Sequence, residues 1–192
     1  RHVLVGLSCA KVCERERATL SAPPRALTKQ MSLARAAKGR RRGLQRDMSA
    51  QIRRSWLVVP MSKAEQIAQA PRSGADVIAL DLVEFVAEED KPAARERTQA
   101  AIRTAHAGGA EVFAQVDPEL LVADLHACAW PGLTGVIVSR LESAQQVAEV
   151  DGLLGELEAR RGILHGTLEI VAALETARGN HAAYDIGRAS PR

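Results

Sequence analysis

Aromatic residues make up only 3% of this 192-residue chain, so a core of any size must be built from Ala, Val and Leu. Cysteine is almost as scarce. Cys9, Cys13 and Cys128 cannot form a disulfide framework, and Cys9 with Cys13 is at most half a metal site that no second pair completes. A reducing cytoplasm is the expected setting. No apolar run approaches the roughly 20 residues of a membrane-spanning helix, so no membrane span is expected. No Gly-x-Gly-x-x-Gly follows the first strand-like run, which argues against a dinucleotide-binding fold.

What is present is divided by charge. Residues 1–54 hold 14 Lys/Arg against 3 Asp/Glu, a balance of +11, while residues 55–192 hold 12 against 20, a balance of −8. Residues 1–47 therefore form a basic arm and residues 48–192 an acidic body. The arm carries no sustained hydrophobic period. Pro23-Pro24 and the cluster Lys38-Gly39-Arg40-Arg41-Arg42-Gly43 read as solvated, disordered chain. No aromatic is interleaved and no binding motif accompanies the cluster, so nucleic acid is not expected as a partner, although an anionic-surface anchor is a third use for such an arm. Residue 1 is Arg, and Met48 opens Met-Ser-Ala-Gln just before the first strand, which makes non-native upstream sequence the other account of the arm. On either account a chain starting at Met48 should be no less stable.

The body is regular, and it is organised around Gly74-Ala75-Asp76-Val77-Ile78-Ala79-Leu80-Asp81-Leu82-Val83-Glu84-Phe85. A run without polar alternation is the pattern of a strand covered on both faces, as in parallel sheets. This one ends in an acid, Asp81, which either contributes to a site at the carboxyl end of the strand or caps the following turn. Leu168 to Thr176 repeats the form and ends in Glu175. Three more strands are expected at Trp56-Leu57-Val58-Val59, Val112 to Val116 and Gly135 to Val138. Helices between them start from capping boxes at Ser62-Lys63-Ala64-Glu65 and Ser143-Ala144-Gln145-Gln146 and from a cap at Asp90. His106, His126, His165 and His181 share no spacing and are expected at the surface or at helix ends.

Five β–α units in strict alternation imply an α/β fold with a parallel sheet and right-handed crossovers. In a (β/α)₈ barrel of the TIM type the strand ends Pro60, Asp81, Gln115, Arg140 and Glu175 would ring one mouth. A complete barrel needs about 250 residues and about 140 are available here, so the expectation is a barrel truncated after five units. Five strands leave two edges, Trp56–Val59 and Leu168–Leu174, and neither has a Pro or Lys inside the run to discourage pairing. Self-association into a homo-oligomer is expected.

From Arg54 to Arg192 the sequence resembles the HpcH/HpaI aldolase/citrate lyase family, in particular its citrate lyase beta-subunit-like members. Ser55 to Pro60, Gly74 to Leu82, Asp90-Lys91-Pro92-Ala93-Ala94-Arg95 and Glu175-Thr176-Ala177-Arg178-Gly179 carry the likeness. The resemblance implies a barrel that binds Mg²⁺ and breaks or makes carbon–carbon bonds beside a carbonyl, on a CoA ester or a small oxo-acid. It implies Glu175 as a metal ligand, with the second protein ligand beyond residue 192. Asp81 and Glu84 would be the catalytic acids ordering the metal's waters, and Gln115 and Arg140 would face the substrate. Four places depart from the family pattern: Met61-Ser62-Lys63 stands where Gly-Asp-Arg-like residues are usual, Val83 where a Glu is usual, Gln115 where an Arg is usual, and Ser139-Arg140 where Pro-Lys is usual. A neutral amide lacks the bidentate cationic grip of Arg. The alternative expectation is therefore an inactive or truncated relative that serves as an interaction module.

Overall fold

The structure, a computed structural model, describes Val3–Val5 and Ile52–Arg192. The expectations for Cys9, Cys13 and the Lys38 to Gly43 cluster lie outside the described residues. Within the acidic body the apolar runs become strands: β2 (Trp56–Pro60), β3 (Val77–Asp81), β4 (Glu111–Val116), β5 (Gly135–Val138) and β6 (Glu169–Leu174). Helices α1 (Ala64–Gln69), α2 (Lys91–His106), α3 (Leu121–Cys128) and α4 (Ala144–Arg161) cross between successive strands, and the short α5 (Ala177–His181) and α6 (Ala183–Arg188) follow β6. All strand pairs are parallel, and β6, β5, β4, β3 and β2 lie side by side in that order. Order in space thus follows order in sequence with no reversal, whereas a doubly wound sheet must reverse at a switch point.

The two faces of the sheet confirm this winding. One face presents Ile78, Leu80, Val112, Ala114, Val136, Val138 and Leu174 to helix residues such as Ile102, Leu125, Val147 and Leu154 in the larger core. The other face gathers Val77, Ala79, Phe113, Ile137 and Val171, with Trp56 and Ala173 against them and no helical residue among them. Helices on one face only are the mark of a barrel wall, since its other face is the barrel interior. Each fully buried Leu or Ile contributes about 1.5–3 kcal/mol through removal from water, so the helix-covered face provides most of the stability.

The interior face is sealed at the amino ends of the strands. Glu111 and Glu169 open β4 and β6, and the register through Gly135 sets Glu169 in line with Phe113, two residues past Glu111 on the same face of β4. Arg53 fills the space between them. Its guanidinium bonds Glu169 at 2.8 and 2.9 Å and Glu111 at 3.0 Å, and stacks over the Phe113 ring at 4.9 Å from the centroid. Trp56 lies against the same ring, centroids 5.2 Å apart. A planar fork that pairs two carboxylates and also stacks on an aromatic suits Arg and not Lys.

Some local expectations shift. Ser143 forms its capping box with Gln146, and Gly162 closes α4 in the left-handed region at φ 65. Ser62 caps nothing, because Lys63 N–H bonds the Pro60 carbonyl at 3.0 Å and the turn so formed delays α1 by one residue. Asp90 makes no side-chain cap either. A 3₁₀ turn, Glu88–Asp90, runs straight into α2, so Asp90 already has a helical backbone and its side chain cannot fold back. The larger difference is a sixth strand. Val3–Val5 forms β1, pairing in parallel with Ala172–Leu174 on the outer side of β6. Only β2 is without an outer neighbour among the described residues.

Two measurements test this architecture. Gly135→Ala should cost about 1–3 kcal/mol in urea unfolding, since a Cβ there would meet the Glu169 carbonyl oxygen at 2.5 Å and the Phe113 ring at 2.8 Å. A chain beginning at Met48 lacks β1 and should self-associate more strongly than the full chain in micromolar light scattering. Identical scattering would show that β1 does not cover the edge of β6.

Candidate functional site

Parallel strands in register deliver all their carboxyl ends to one rim, and the five residues singled out in the sequence arrive there together. Pro60 pairs with Asp81 and Asp81 with Gln115. Asp81 is fully buried. Its Oδ1 accepts from the Val83 and Glu84 N–H groups at 3.0 and 3.2 Å, and its Oδ2 from Phe85 N–H at 2.7 Å. These bonds are those of a turn cap. A short carboxylate two to four residues upstream is well placed to gather consecutive amides. With both oxygens so engaged, Asp81 shapes the loop that carries Glu84.

Glu84 is exposed on that loop, and Glu175 is exposed directly after β6. Although Glu175 reaches solvent, protein around its carboxyl has displaced enough water to raise its pKa above the usual glutamate range. The charge of Glu84 pushes it the same way, and the guanidinium and main-chain N–H of Arg140 pull against both. Gln115 is half-buried and donates from Nε2 to Ser139 Oγ at 2.9 Å.

Arg140 follows β5 with φ 51, the one non-glycine residue with positive φ among those described. Such a backbone costs about 1–3 kcal/mol and persists only when surroundings enforce it. Its guanidinium does not simply extend into solvent, for Nη2 bonds Asp117 Oδ1 at 2.8 Å. Asp117, buried just after β4, was not singled out in the sequence, although it repeats the pattern of an acid ending an apolar run. Lys91 was missed as well. It is buried at the start of α2, 3.9 Å from Asp117 Oδ2. Behind them Asp124, also buried, accepts from Asp117 N–H at 3.0 Å and from Arg95 Nε at 2.7 Å. The four histidines lie exposed, as expected.

The rim thus holds two carboxylates, Glu84 adding to the raised proton affinity of Glu175, a guanidinium beside Glu175, and a side-chain amide. Such a set suits a hard divalent cation together with an oxygen-rich anion. Among the described residues no group of three or more His, Cys, Asp or Glu has the arrangement of a metal site.

The sequence model of the HpcH/HpaI aldolase/citrate lyase family matches residues 54–192. The chain belongs to this family. Among curated relatives, a citrate lyase subunit beta-like protein of Mycobacterium tuberculosis is 34% identical over 146 residues, covering 71% of this chain and 44% of that protein. The citrate lyase subunit beta of Leuconostoc mesenteroides subsp. cremoris is 28% identical over 144 residues, 73% of this chain and 48% of its own. The chain spans about half the length of the curated relatives it matches. Solved structures agree. The protein CitE of M. tuberculosis in complex with magnesium and pyruvate superposes with a TM-score of 0.55 at 29% identity, over 73% of this chain and 53% of that one. The same protein has been solved with magnesium, acetoacetate and coenzyme A, with a TM-score of 0.51 at 28% identity, over 73% and 47%. A malate synthase of Haloferax volcanii shares the fold alone, with a TM-score of 0.61 at 14% identity over 71% and 43%. The fold is α/β of the TIM-barrel type, and the resemblance read from Arg54 onward coincides with the matched region.

The charge coupling at the rim has a measurable signature. Because the Glu175 pKa is raised on folding, its neutral form favours the folded state. That contribution is complete below the unfolded pKa and is lost as pH rises through the folded one. Glu84→Gln should therefore lower the Glu175 pKa in a carboxyl-carbon NMR titration and reduce the loss of stability between mildly acidic and neutral pH. An unmoved Glu175 titration would show that the two acids do not interact.

Proposed function

We propose that the chain is the metal-binding part of a Mg²⁺-dependent carbon–carbon lyase acting on a CoA ester or a small oxo-acid. The observation that carries it is the pair Glu84 and Glu175 with Arg140 beside them. The charge of Glu84 disfavours ionised Glu175, a divalent cation would offset both charges, and Arg140 offers a fixed positive group for a substrate carboxylate. The donor chemistry fits Mg²⁺, which takes oxygen ligands and commonly uses one or two protein carboxylates with waters in the remaining positions. Glu175 would ligate it directly, and Glu84 would hold a coordinated water or ligate in turn. When bound, the ion supplies positive charge that offsets the negative oxygen developing beside a breaking carbon–carbon bond.

The other tasks belong to the chain itself. Asp81 holds the loop that sets the position of Glu84. Gln115, its Nε2 engaged with Ser139, keeps a further amide hydrogen for a substrate carbonyl. Arg140 carries its charge at every accessible pH, so it selects anionic substrates. The cytoplasm and a homo-oligomeric state complete the proposal; no described helix is long and apolar enough to cross a membrane.

A second reading, an inactive relative used as an interaction module, is favoured by the absence of a three-ligand cluster among the described residues and by the neutral Gln115. Metal binding separates the two. Binding to the native state alone stabilises by about 2.7 kcal/mol at 100-fold over Kd, so millimolar Mg²⁺ should raise the thermal midpoint of the wild type. In Glu175→Gln that rise should vanish while the metal-free midpoint stays near wild type. No shift in the wild type would favour the interaction module.

A further inference from the structure

The geometry around Arg140 raises a question that the lyase reading leaves open: what keeps its guanidinium at the rim. An exposed arginine ordinarily samples many rotamers, and ordering one on substrate binding has an entropic cost. Here one edge of the group is taken. Nη2 bonds Asp117, while Nε and Nη1 have no acceptor among the described residues. Asp117 is itself immobilised. Its main-chain N–H bonds Asp124, its Oδ1 also accepts from Glu119 N–H at 3.0 Å, and its Oδ2 faces the buried Lys91. Arg95 holds Asp124 from behind. The left-handed backbone at Arg140 fits the same picture, since it brings the side chain to Asp117 and the main-chain N–H to Glu175.

We propose that Asp117 is a positioning residue for substrate recognition: it fixes the Arg140 guanidinium by one edge, leaving the other edge to take the carboxylate of an anionic oxo-acid. The role rests on the lyase reading, because it presumes that an oxo-acid reaches this rim. It places the anion's anchor at the ends of β4 and β5, held from α2 and α3, and next to the Glu175 carboxylate after β6. Lys91 is not free to serve as that anchor, since its ammonium is buried between Glu88 and Asp117.

The variant that isolates the role is Asp117→Asn. Asn is as good a cap as Asp, so it retains an acceptor for Glu119 N–H and removes the charge that grips Arg140, while the buried Lys91 keeps its closer partner Glu88. Calorimetric titration of the full chain with pyruvate in saturating Mg²⁺ supplies the readout, with the thermal midpoint and the Mg²⁺ affinity measured alongside. Pyruvate affinity should fall about tenfold, the weight of one charge-assisted hydrogen bond, while midpoint and Mg²⁺ affinity stay at wild-type values. In an Arg140→Gln background the same change should have almost no effect, because the two residues act as one unit. Undiminished pyruvate binding in Asp117→Asn would overturn the role, as would losses that add in the double variant or a midpoint that falls together with both affinities. If the wild type takes Mg²⁺ but no pyruvate, the oxo-acid reading falls and this role with it. If the wild type takes both and Asp117→Asn does too, the role alone falls.

Discussion

Everything at the rim depends on the register of the parallel strands. β3 is buried on both faces along its whole length, so a slip of one residue would turn Ile78 and Leu80 away from the helices and send Asp81 into the helix-covered core. That penalty locks Asp81 opposite Gln115, and the same logic through β5 and β6 brings Arg140 beside Glu175. The chemistry of the site is thus placed by apolar side chains that never touch it.

The two ends of the barrel wall use charge in opposite ways. At the amino ends Arg53 has close partners on both sides and an aromatic beneath it, so its charge is consumed in closing the interior. At the carboxyl ends the acids outnumber the close cationic partners. Arg140 acts on Glu175, and it is already shared with Asp117. An end with satisfied charge is structural, and an end with charge left over can do work on a ligand.

How much of this could be read beforehand varies with the range of the interaction. The five strands of the body, their order and the acids that end them were legible because burial on both faces leaves an uninterrupted apolar run. The turn that Asp81 caps was not, since the same residue type in the same place serves site and turn alike and the three amides it collects are seen only in the fold. β1 escaped because three apolar residues in a basic arm carry no period, and their pairing with Ala172–Leu174 bridges nearly the whole chain. The left-handed turn at Arg140 is not signalled by Arg, which rarely adopts it. Asp117 showed the right pattern, an acid closing an apolar run, yet its importance comes from Lys91, Asp124 and Arg140, all distant in sequence.

Between the buried side chains of Leu82 and Val86, the loop after β3 is gripped by its main chain. Asp81 holds the amides of Val83, Glu84 and Phe85 and is indifferent to what those residues carry. Any amino acid with an N–H can therefore occupy the three positions without moving the backbone, and proline is the one that cannot. Divergence at Val83, or the outward-facing ring of Phe85, then leaves the scaffold untouched. The loop behaves as an interchangeable cassette on a fixed clip, a place where new specificities can be tried by descent or by design without endangering the fold that displays them.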